Sequence, residues 1–342
     1  MKRLLAALLS LLLLCGCSNA EPAAEKKQYT ATFLTLFDTV TTMVGRAESE
    51  EDFRRTAQAL HDELLEYHQL FDIYHKYEGI NNLKTVNDAA GGTPVQVDQR
   101  IIRLLQECKA FYASTDGKVN AAMGSVLQLW HESRSDGRDD PLHAALPDAA
   151  ALETAAEHTD FSSVIIDEEA STVCITDPAV RLDVGAIGKG WAVQQVAANA
   201  PEGLLISVGG NVCATGPKDE NGTPWVIGVR DPDGGEEDYL HTLYIKNGCV
   251  VTSGDYQRTY MVDGKLYHHI IDPDTLYPSE YWRSVTVVCA DSGTADALST
   301  ALFLLPQAEG QALLDQYDAE AMWVDAEGNV FYSTAFRDLI RT

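Results

Sequence analysis

The spacing of apolar residues divides the chain into a helical first part and a later part of short strands. Residues 30–44 alternate loosely and are rich in Thr, Phe and Val, which predicts an opening strand. Ser49 is placed to cap a helix that runs to about Tyr74, because apolar residues recur there at helical spacing. A second helix of the same kind is expected to start near Asp98.

Polar residues and helix breakers dominate residues 131–147, which predicts a surface excursion there. Pro147 then suits the first turn of a short helix that ends near His158. The excursion and this helix separate the helical first part of the chain from the part rich in strands.

Short runs typical of strands begin at residue 161 and include one long strand expected over residues 261–271. Within it, Asp263 and Gly264 strongly favour a hairpin turn. Helical spacing returns at three places, at about residues 189–199, 293–305 and 307–317. Helices first and mostly hairpins afterwards indicate an α+β fold in one domain.

The first residues have the pattern of a secretory signal. Lys2 and Arg3 precede an apolar run over residues 4–14, which is too short to span a bilayer as a mature helix. The ending Leu-Cys-Gly-Cys resembles a bacterial lipobox, so residues 1–16 are expected to be removed and Cys17 to be lipidated. A plain cleavable signal is the alternative.

The domain boundaries follow from this interpretation. Residues 17–30 would form a polar, lipid-anchored tether, and residues 31–342 would form the functional domain. The expected location is the cell membrane, with the protein anchored by lipid on its extracytoplasmic face.

Acidic residues greatly outnumber basic ones. The chain has 51 Asp and Glu against 25 Lys and Arg, a formal net charge of −26. Such a surface repels nucleic acid and anionic lipid head groups, so neither is an expected partner through charge. An anionic substrate would need local neutralisation by a metal cation, a lysine or a helix N-terminus.

Five cysteines lie beyond the lipobox, far apart and without a CxxC pair, so neither a zinc site nor a thioredoxin-type motif is indicated. Most of them fall in apolar, strand-like runs. Buried thiols are therefore expected rather than a disulfide framework. These cysteines are Cys108, Cys174, Cys213, Cys249 and Cys289.

The segment "DVGAIGKGWAV", residues 183–193, follows a strand-like run and leads into a helix. Its three glycines allow close approach of the backbone to a ligand, and free N–H groups at a helix start favour phosphate. Lys189 would add a fixed positive charge. The glycine spacing matches neither a Walker A loop nor a dinucleotide fingerprint, and an ordinary tight turn with a helix cap is the alternative.

The segment "GTADALSTALFLL", residues 293–305, places Asp296 and Thr300 one turn apart on the same face of a helix. One carboxylate and one hydroxyl suit Mg²⁺, which completes its octahedron with water and substrate phosphate. The alternative is structural: Asp296 would stabilise the helix dipole and Thr300 would bond back to the preceding turn.

Two adjacent histidines open the segment "HHIIDPDTLYP", residues 268–278. On a strand, His268 and His269 would point to opposite faces, which argues against a chelating pair. We expect one of them to pack or meet solvent, and the other to face inward, where a pKa near neutrality suits proton transfer.

Together these segments resemble the FAD:protein FMN transferase (ApbE) family of bacterial lipoproteins. The resemblance covers essentially the whole mature chain and rests on motifs that occur in the family's order. They are "FDT" at 37–39, "NNLKTVN" at 81–87, "DGKVNAAMGSVLQLW" at 116–130, "DVGAIGKGWA" at 183–192, "SVGGNVCATG" at 207–216, "TSGDYQR" at 252–258, "YHHIIDPDTLYP" at 267–278 and "ADALSTALFLL" at 295–305.

The resemblance implies a single α+β domain of mixed, largely antiparallel sheet with flanking helices. It also implies the reaction: a Mg²⁺-dependent enzyme cleaves the pyrophosphate of its substrate FAD and releases AMP. The FMN group becomes attached through a phosphoester to a threonine of a target flavoprotein. The implied partners are FAD, this flavoprotein and the membrane, through the lipid anchor.

The resemblance also implies a role for particular residues. His269, which matches the family's "HIIDP" motif, is the candidate for proton transfer. The metal would be bound by the backbone carbonyl of Ala186 together with Asp296 and Thr300. The implied FAD contacts are Asp183 and Lys189 near the pyrophosphate, Phe37, Tyr74, Val119, Asn120 and Ala121 along the flavin or adenine pocket, and Ile271 at a strand end.

Two other functions use the same residues and stay open at this point. In a Mg²⁺-dependent FAD pyrophosphatase, water would replace the threonine and the products would be FMN and AMP. In a non-catalytic flavin-binding lipoprotein, the chain would only store or deliver the cofactor.

Overall fold

The computed structural model describes residues 26–235 and 238–341. The predicted signal sequence, the lipidation site Cys17 and most of the predicted tether lie outside these residues. Residues 27–30, which the sequence assigned to the tether, belong to the first strand. Within the described part of the chain, no helix is long and apolar enough to cross a membrane.

The described residues contain eight α-helices and fifteen strands, with two short 3-10 turns. The helices are α1 (Glu50–Phe71), α2 (Leu83–Asp88), α3 (Gln99–Ser114), α4 (Gly124–Asp139), α5 (Ala149–Ala156), α6 (Gly188–Asn199), α7 (Ser292–Phe303) and α8 (Gln307–Leu314). The strands are β1 (Lys27–Leu36), β2 (Thr39–Ala47), β3 (Val95–Gln96), β4 (Val164–Asp167), β5 (Thr172–Ile175), β6 (Leu204–Val208), β7 (Asn211–Ala214), β8 (Trp225–Arg230), β9 (Tyr239–Ile245), β10 (Gly248–Gly254), β11 (Tyr260–Val262), β12 (Lys265–Tyr267), β13 (Ser284–Cys289), β14 (Ala319–Val324) and β15 (Val330–Tyr332).

An eight-stranded sheet in the order β1-β2-β6-β7-β10-β13-β14-β15 forms the centre of the molecule. Its neighbouring strands all pair antiparallel. Helices α1, α6 and α7 cover one face and share the main hydrophobic core with it. The hairpin β8–β9 covers part of the opposite face and forms a second core there. The predicted α+β fold is confirmed.

Two predicted helix starts are confirmed by their caps. The side chain of Ser49 accepts a hydrogen bond from the amide of Asp52, and Asp98 caps α3 in the same way. Each side chain satisfies an N–H group that has no partner within its helix. The predicted late helices correspond to α6, α7 and α8.

The opening strand predicted over residues 30–44 is wrong, because the chain reverses there to form the β1–β2 hairpin. Phe37 and Asp38 form the turn with φ values of 52° and 55°. Both residues are in the left-handed region that such tight turns require, although neither is glycine or asparagine. The usual sequence signal of this turn is therefore missing.

The surface excursion predicted over residues 131–147 is also wrong in its first part, since α4 continues to Asp139. The helix passes through Gly137, a poor helix former, at a position where tight packing leaves no room for a side chain. A Cβ atom at Gly137 would lie 2.8 Å from the ring of Tyr260 and 3.0 Å from Ala144. Tertiary packing at this position therefore outweighs the low intrinsic helix propensity of glycine.

The hairpin predicted at Asp263 and Gly264 is confirmed, but the long strand expected over residues 261–271 is interrupted by it. Strand β12 ends at Tyr267, so His268 and His269 follow the strand instead of lying in it. The five cysteines are free thiols, as predicted. Cys108, Cys213 and Cys249 are buried, but Cys174 and Cys289 are only partly buried, so the predicted burial is confirmed for three of the five.

Candidate functional site

A cavity of about 690 Å³ opens beside α4, α6 and α7, at the end of β10 and the segment after β12. Ligand pockets typically have a volume of about 300–1,000 Å³, so the cavity suits a large cofactor. It brings together most of the predicted site residues, although they are distant in sequence. Those that line it are Tyr74, Asn120, Asp183, Ala186, Lys189, His269, Ile271, Asp296 and Thr300.

The other three predicted contacts lie behind the lining. Val119 and Ala121 are buried in the main core, with 2% and 5% of their surface exposed. The ring of Phe37 packs edge-on against His68, with centroids 5.5 Å apart. These three residues are therefore not part of the lining, although the carbonyl of Phe37 accepts a hydrogen bond from the lining residue Arg258.

The backbone at the start of the glycine-rich turn is held by hydrogen bonds from one backbone group and one side chain. The amide of Asp183 donates to the carbonyl of Ala121 at 2.8 Å. The buried side chain of Asn87 accepts from the amide of Leu182 at 2.7 Å and donates to its carbonyl at 2.9 Å. The carboxylate of Asp183 in turn accepts from the amide of Gly185 at 2.8 Å. The turn is therefore fixed before any ligand binds.

Asp296 links α7 to the start of α6. The residue is 3% exposed, and its carboxylate accepts a hydrogen bond from the amide of Gly190 at 2.8 Å. The ammonium of Lys189 lies 3.4 Å from the other carboxylate oxygen. A Cβ atom at position 190 would lie 2.2 Å from the carbonyl oxygen of Ser292 and 2.5 Å from Cβ of Asp296. Only glycine permits this approach of the two helices.

The alternative role considered for Asp296, stabilising the helix N-terminus, belongs to another residue. Asp291 caps α7 by accepting from the amide of Thr294 at 2.7 Å. Asp296 lies one turn further along the helix and points away to α6. Thr300 does make the expected bond back to the preceding turn, to the carbonyl of Asp296, at 3.4 Å.

Ala186, Asp296 and Thr300 all line the cavity, and a backbone carbonyl, a carboxylate and a hydroxyl are oxygen donors of the kind that a hard divalent cation prefers. The amide of Gly190, which would reach the Ala186 carbonyl in a regular helix, is used by Asp296. Among residues 26–235 and 238–341, no hydrogen bond to the Ala186 carbonyl is formed, so this oxygen remains available. In the same part of the chain, no group of three or more His, Cys, Asp and Glu side chains could hold a metal.

The two histidines have different surroundings. His268 packs edge-on against Phe303 and bonds to the carbonyl of Ser279 at 2.8 Å. His269 lines the cavity, and its Nδ1 lies 3.2 Å from the carbonyl of Gln257. Because a carbonyl only accepts, Nδ1 carries the proton and Nε2 has a free electron pair.

The electrostatic surroundings of His269 favour its neutral form. Burial lowers its pKa to about 3, and the positive charges of Arg258, Arg134 and Lys189 contribute to the decrease. The imidazole is therefore uncharged at neutral pH and can accept a proton. The pKa near neutrality expected from the sequence is therefore wrong: His269 is neutral and has a fixed tautomer, but it is a weaker base than an ordinary histidine.

Three further lining residues, His131, Arg134 and Arg258, were not predicted. We call them the arginine wall, and we call Ala186, Lys189, Asp296 and Thr300, with the buried Gly190 behind them, the α6–α7 wall. The ring of His131 lies 5.0 Å from that of Tyr74, at 32°. His131 and Arg134 are three residues apart in α4, a helical spacing that continues from Trp130. That spacing was the available signal, but the stretch was interpreted as a loop.

A cavity with an oxygen-rich α6–α7 wall, a neutral imidazole and several cations is typical of proteins that bind phosphate esters with a divalent metal. The ApbE family model matches residues 35–323. The chain belongs to the ApbE family.

Two relatives show how far the similarity extends. The FAD:protein FMN transferase of Treponema pallidum (strain Nichols) is 30% identical over 351 residues, covering 96% of this chain and 93% of that protein. A protein of the same name from Klebsiella pneumoniae (strain 342) is 33% identical over 291 residues, covering 81% of this chain and 87% of that protein.

Solved structures share the fold. The ApbE protein of Thermotoga maritima superposes with a TM-score of 0.81 at 30% identity, covering 92% of this chain and all of that one (100%). The flavin transferase ApbE of Vibrio cholerae superposes with a TM-score of 0.76, covering 92% of this chain and 100% of that one, and at 22% identity it supports the fold alone.

Proposed function

We propose that this protein is a Mg²⁺-dependent FAD:protein FMN transferase. It cleaves FAD, attaches FMN through a phosphoester to a threonine of a target flavoprotein, and releases AMP. Membership of the ApbE family and the names of the relatives support the transferase activity. The observation that carries the proposal is the position of Asp296, fixed by Gly190 and Lys189 at the wall of a cofactor-sized cavity.

The metal-binding role belongs to the α6–α7 wall. The Asp296 carboxylate, the Thr300 hydroxyl and the Ala186 carbonyl would hold Mg²⁺, which supplies charge neutralisation to the diphosphate oxygens. Lys189 adds a positive charge next to them. The hydrogen bond from Gly190 orients the carboxylate of Asp296 and reduces the cost of reorganisation when substrate binds.

His269 would act on the incoming hydroxyl. The oxygen of the target threonine attacks the phosphorus on the FMN side, and the bond from that phosphorus to the bridging oxygen breaks. The threonine proton moves to Nε2 of His269, and the electron pair of the broken bond leaves with AMP. The bond from Nδ1 to the carbonyl of Gln257 holds the imidazole in the required tautomer.

Tyr74 is the candidate for contact with an aromatic ring of FAD. Its side chain is 48% exposed although it lies on the cavity lining next to His131. An exposed aromatic ring in a pocket offers a flat apolar face for stacking. Burial of the hydroxyl and the nearby Asp183 raise its pKa to about 12, so the phenol stays neutral.

The direct test is incubation of the purified protein with FAD, Mg²⁺ and flavoproteins from the same cell. We expect release of AMP and a covalently bound flavin on a target threonine, located by mass spectrometry of the tryptic peptides. Equal AMP release with and without acceptor, with no flavin attached to any protein, would identify a pyrophosphatase instead. Binding of FAD without AMP release would identify a flavin carrier.

The membrane location is a separate proposal that rests on the sequence around Cys17. We propose that Cys17 becomes the lipidated N-terminus and keeps the enzyme at the extracytoplasmic face of the membrane. Mass spectrometry of the mature protein should find a diacylglyceryl group on Cys17, and Cys17→Ala should release the protein from the membrane fraction. A mature N-terminus elsewhere would exclude the anchor and leave the catalytic proposal unaffected.

A further inference from the structure

The arginine wall is the part of the cavity to which the proposed reaction has assigned no task. Arg134 lies on α4 and Arg258 follows β10, so two distant segments bring their guanidinium groups to one lining. The chain has a net charge of −26 and acidic residues such as Asp38 and Glu132 also line the cavity, so two guanidinium groups that pair with none of them need an explanation.

The contacts of these side chains include no acid. The Nη2 of Arg134 donates to Nδ1 of His131 at 2.9 Å, and Arg258 donates to the carbonyl of Phe37 at 3.3 Å. Neither arginine forms an ion pair with any residue in 26–235 or 238–341. Both guanidinium groups therefore keep most of their N–H donors free.

Arg283 is an example of an arginine with a structural role in this chain. Its guanidinium lies 2.6 Å from the carboxylate of Asp255 and 2.7 Å from that of Asp233. The two carboxylates neutralise its charge and use its donors. Arg134 and Arg258 have no such partners. Arg181 also lacks a carboxylate partner, but it donates to the carbonyls of Pro178 and Val180, whereas Arg134 and Arg258 each make one hydrogen bond.

The two guanidinium groups also affect each other. Burial lowers the pKa of Arg134, and the charge of Arg258 lowers it further. Two like charges on one lining repel each other, and an anion bound between them would remove this repulsion. His131 adds no charge, because it accepts a hydrogen bond from Arg134 through Nδ1 and burial lowers its own pKa.

The effects of the two arginines on neighbouring groups indicate where the pair lies in the cavity. The charges of Arg134 and Arg258 both lower the pKa of Tyr74 and that of His269. The pair therefore lies within electrostatic range of the proposed base and of the proposed aromatic contact. An anion bound there would lie next to the reacting groups, on a different wall from Asp296 and Thr300.

We propose that Arg134 and Arg258 form a two-arginine subsite that binds an anionic oxygen group of a substrate beside His269. The planar guanidinium presents N–H donors in a fork that matches phosphate or carboxylate oxygens. The group is a phosphate of the flavin nucleotide or a carboxylate of the acceptor protein. This proposal rests on the flavin transfer proposed above, for which the pair serves as a positioning device.

The decisive experiment measures flavin binding by fluorescence quenching in EDTA, where the metal makes no contribution. The probes are FAD, FMN and riboflavin, of which riboflavin lacks phosphate. The variants are Arg134→Gln, Arg258→Gln and the lysine replacements, which retain the charge. Arg138→Gln is the matched control, because it removes one charge from the same helix at an exposed position outside the lining.

If the anion is the flavin phosphate, each glutamine variant weakens FAD and FMN binding by about 10- to 100-fold, the range for hydrogen bonds to charged groups. Riboflavin binding stays unchanged, and the lysine variants recover part of the loss. If the anion belongs to the acceptor, flavin binding stays unchanged and the KM for the acceptor protein rises about tenfold or more in the same variants.

The proposal is overturned if flavin affinities and the acceptor KM of both glutamine variants match those of Arg138→Gln. Thermal unfolding of each variant identifies any loss of folding, and Arg258, which is exposed, provides a variant with little structural risk. Asp296→Asn, measured in parallel, separates the two proposals. If Asp296→Asn loses AMP release while the arginine variants keep normal flavin affinity and a normal acceptor KM, the subsite is refuted and the proposed transferase function is retained.

Discussion

The two walls of the cavity differ in whether their charged groups have partners of opposite charge within the protein. On the α6–α7 wall, the buried carboxylate of Asp296 is satisfied within the protein by Gly190 and Lys189. On the arginine wall, Arg134 and Arg258 have no carboxylate partner among the described residues. The first wall is organised before substrate arrives, and the second is completed by an anion. Substitutions on the α6–α7 wall should therefore change the position of Asp296 even without ligand. Substitutions on the arginine wall should change only the affinity for a ligand that carries an anionic group.

The largest expected effect comes from removing the charge of Asp296. Asp296→Asn should lower the rate of AMP release by about a thousandfold or more, because a metal contributes several kcal/mol of charge stabilisation in the transition state. AMP formation measured by chromatography checks the rate. Asp291→Asn is the matched control in the same helix, since asparagine caps helices as well as aspartate does. Equal rates in both variants would contradict the metal-binding role of Asp296.

The next effect concerns His269, which lies between the walls. His269→Gln should lower flavin transfer by about 100- to 10,000-fold, the usual contribution of a general base. Its affinity for FAD should change little, because the imidazole acts on the acceptor hydroxyl. Single-turnover transfer and flavin fluorescence measure the two quantities. A loss of FAD binding equal to the loss of rate would assign His269 to binding instead, and His241→Gln serves as a remote control.

A smaller effect is expected from filling the contact between α6 and α7. Gly190→Ala places a Cβ atom 2.2 Å from the carbonyl oxygen of Ser292, so the helices must separate. We expect the free energy of unfolding to decrease by about 1–3 kcal/mol, as for other overpacked sites. Denaturant unfolding measures it, with Gln195→Ala on the same helix as control. Unchanged stability and unchanged AMP release would show that this close contact does not position Asp296.

The smallest effect is the dependence of stability on pH. The pKa of His269 is about 3 in the folded protein and about 6.5 when unfolded, so the unfolded state binds the proton first as the pH falls. Stability linked to this group is present above pH 6.5 and is lost towards pH 3. Between pH 7 and 5, His269→Gln should lose about 2 kcal/mol less than the wild type. Parallel stability curves for the two proteins would contradict the buried, neutral imidazole.

The two walls also differ in how well sequence predicts them. The α6–α7 wall is built from two local patterns, a glycine-rich helix start and an Asp-Thr pair one turn apart, and both patterns are visible in the chain. Arg258 ends the "TSGDYQR" motif, but His131 and Arg134 reach the cavity only because α4 continues past residue 131. That continuation is stabilised by packing against Tyr260, a contact that no local pattern indicates.

The same difference explains the errors in the fold. Asp263 and Gly264 carry a recognised turn signal, and the hairpin there was predicted. Phe37 and Asp38 form an equally tight turn without such a signal, and a single strand was predicted instead. His269 was selected through its motif, and its facing into the cavity was expected. The strand argument for it was wrong, because β12 ends at Tyr267.

The central claim is that the oxygens of Ala186, Asp296 and Thr300 bind a divalent cation against the diphosphate of FAD. Anomalous diffraction from crystals soaked with FAD and Mn²⁺ tests it most directly. We predict one strong peak within about 2.0–2.3 Å of these three oxygens, with the diphosphate completing the coordination. A peak elsewhere in the cavity, or a diphosphate bound away from that peak, would contradict the claim.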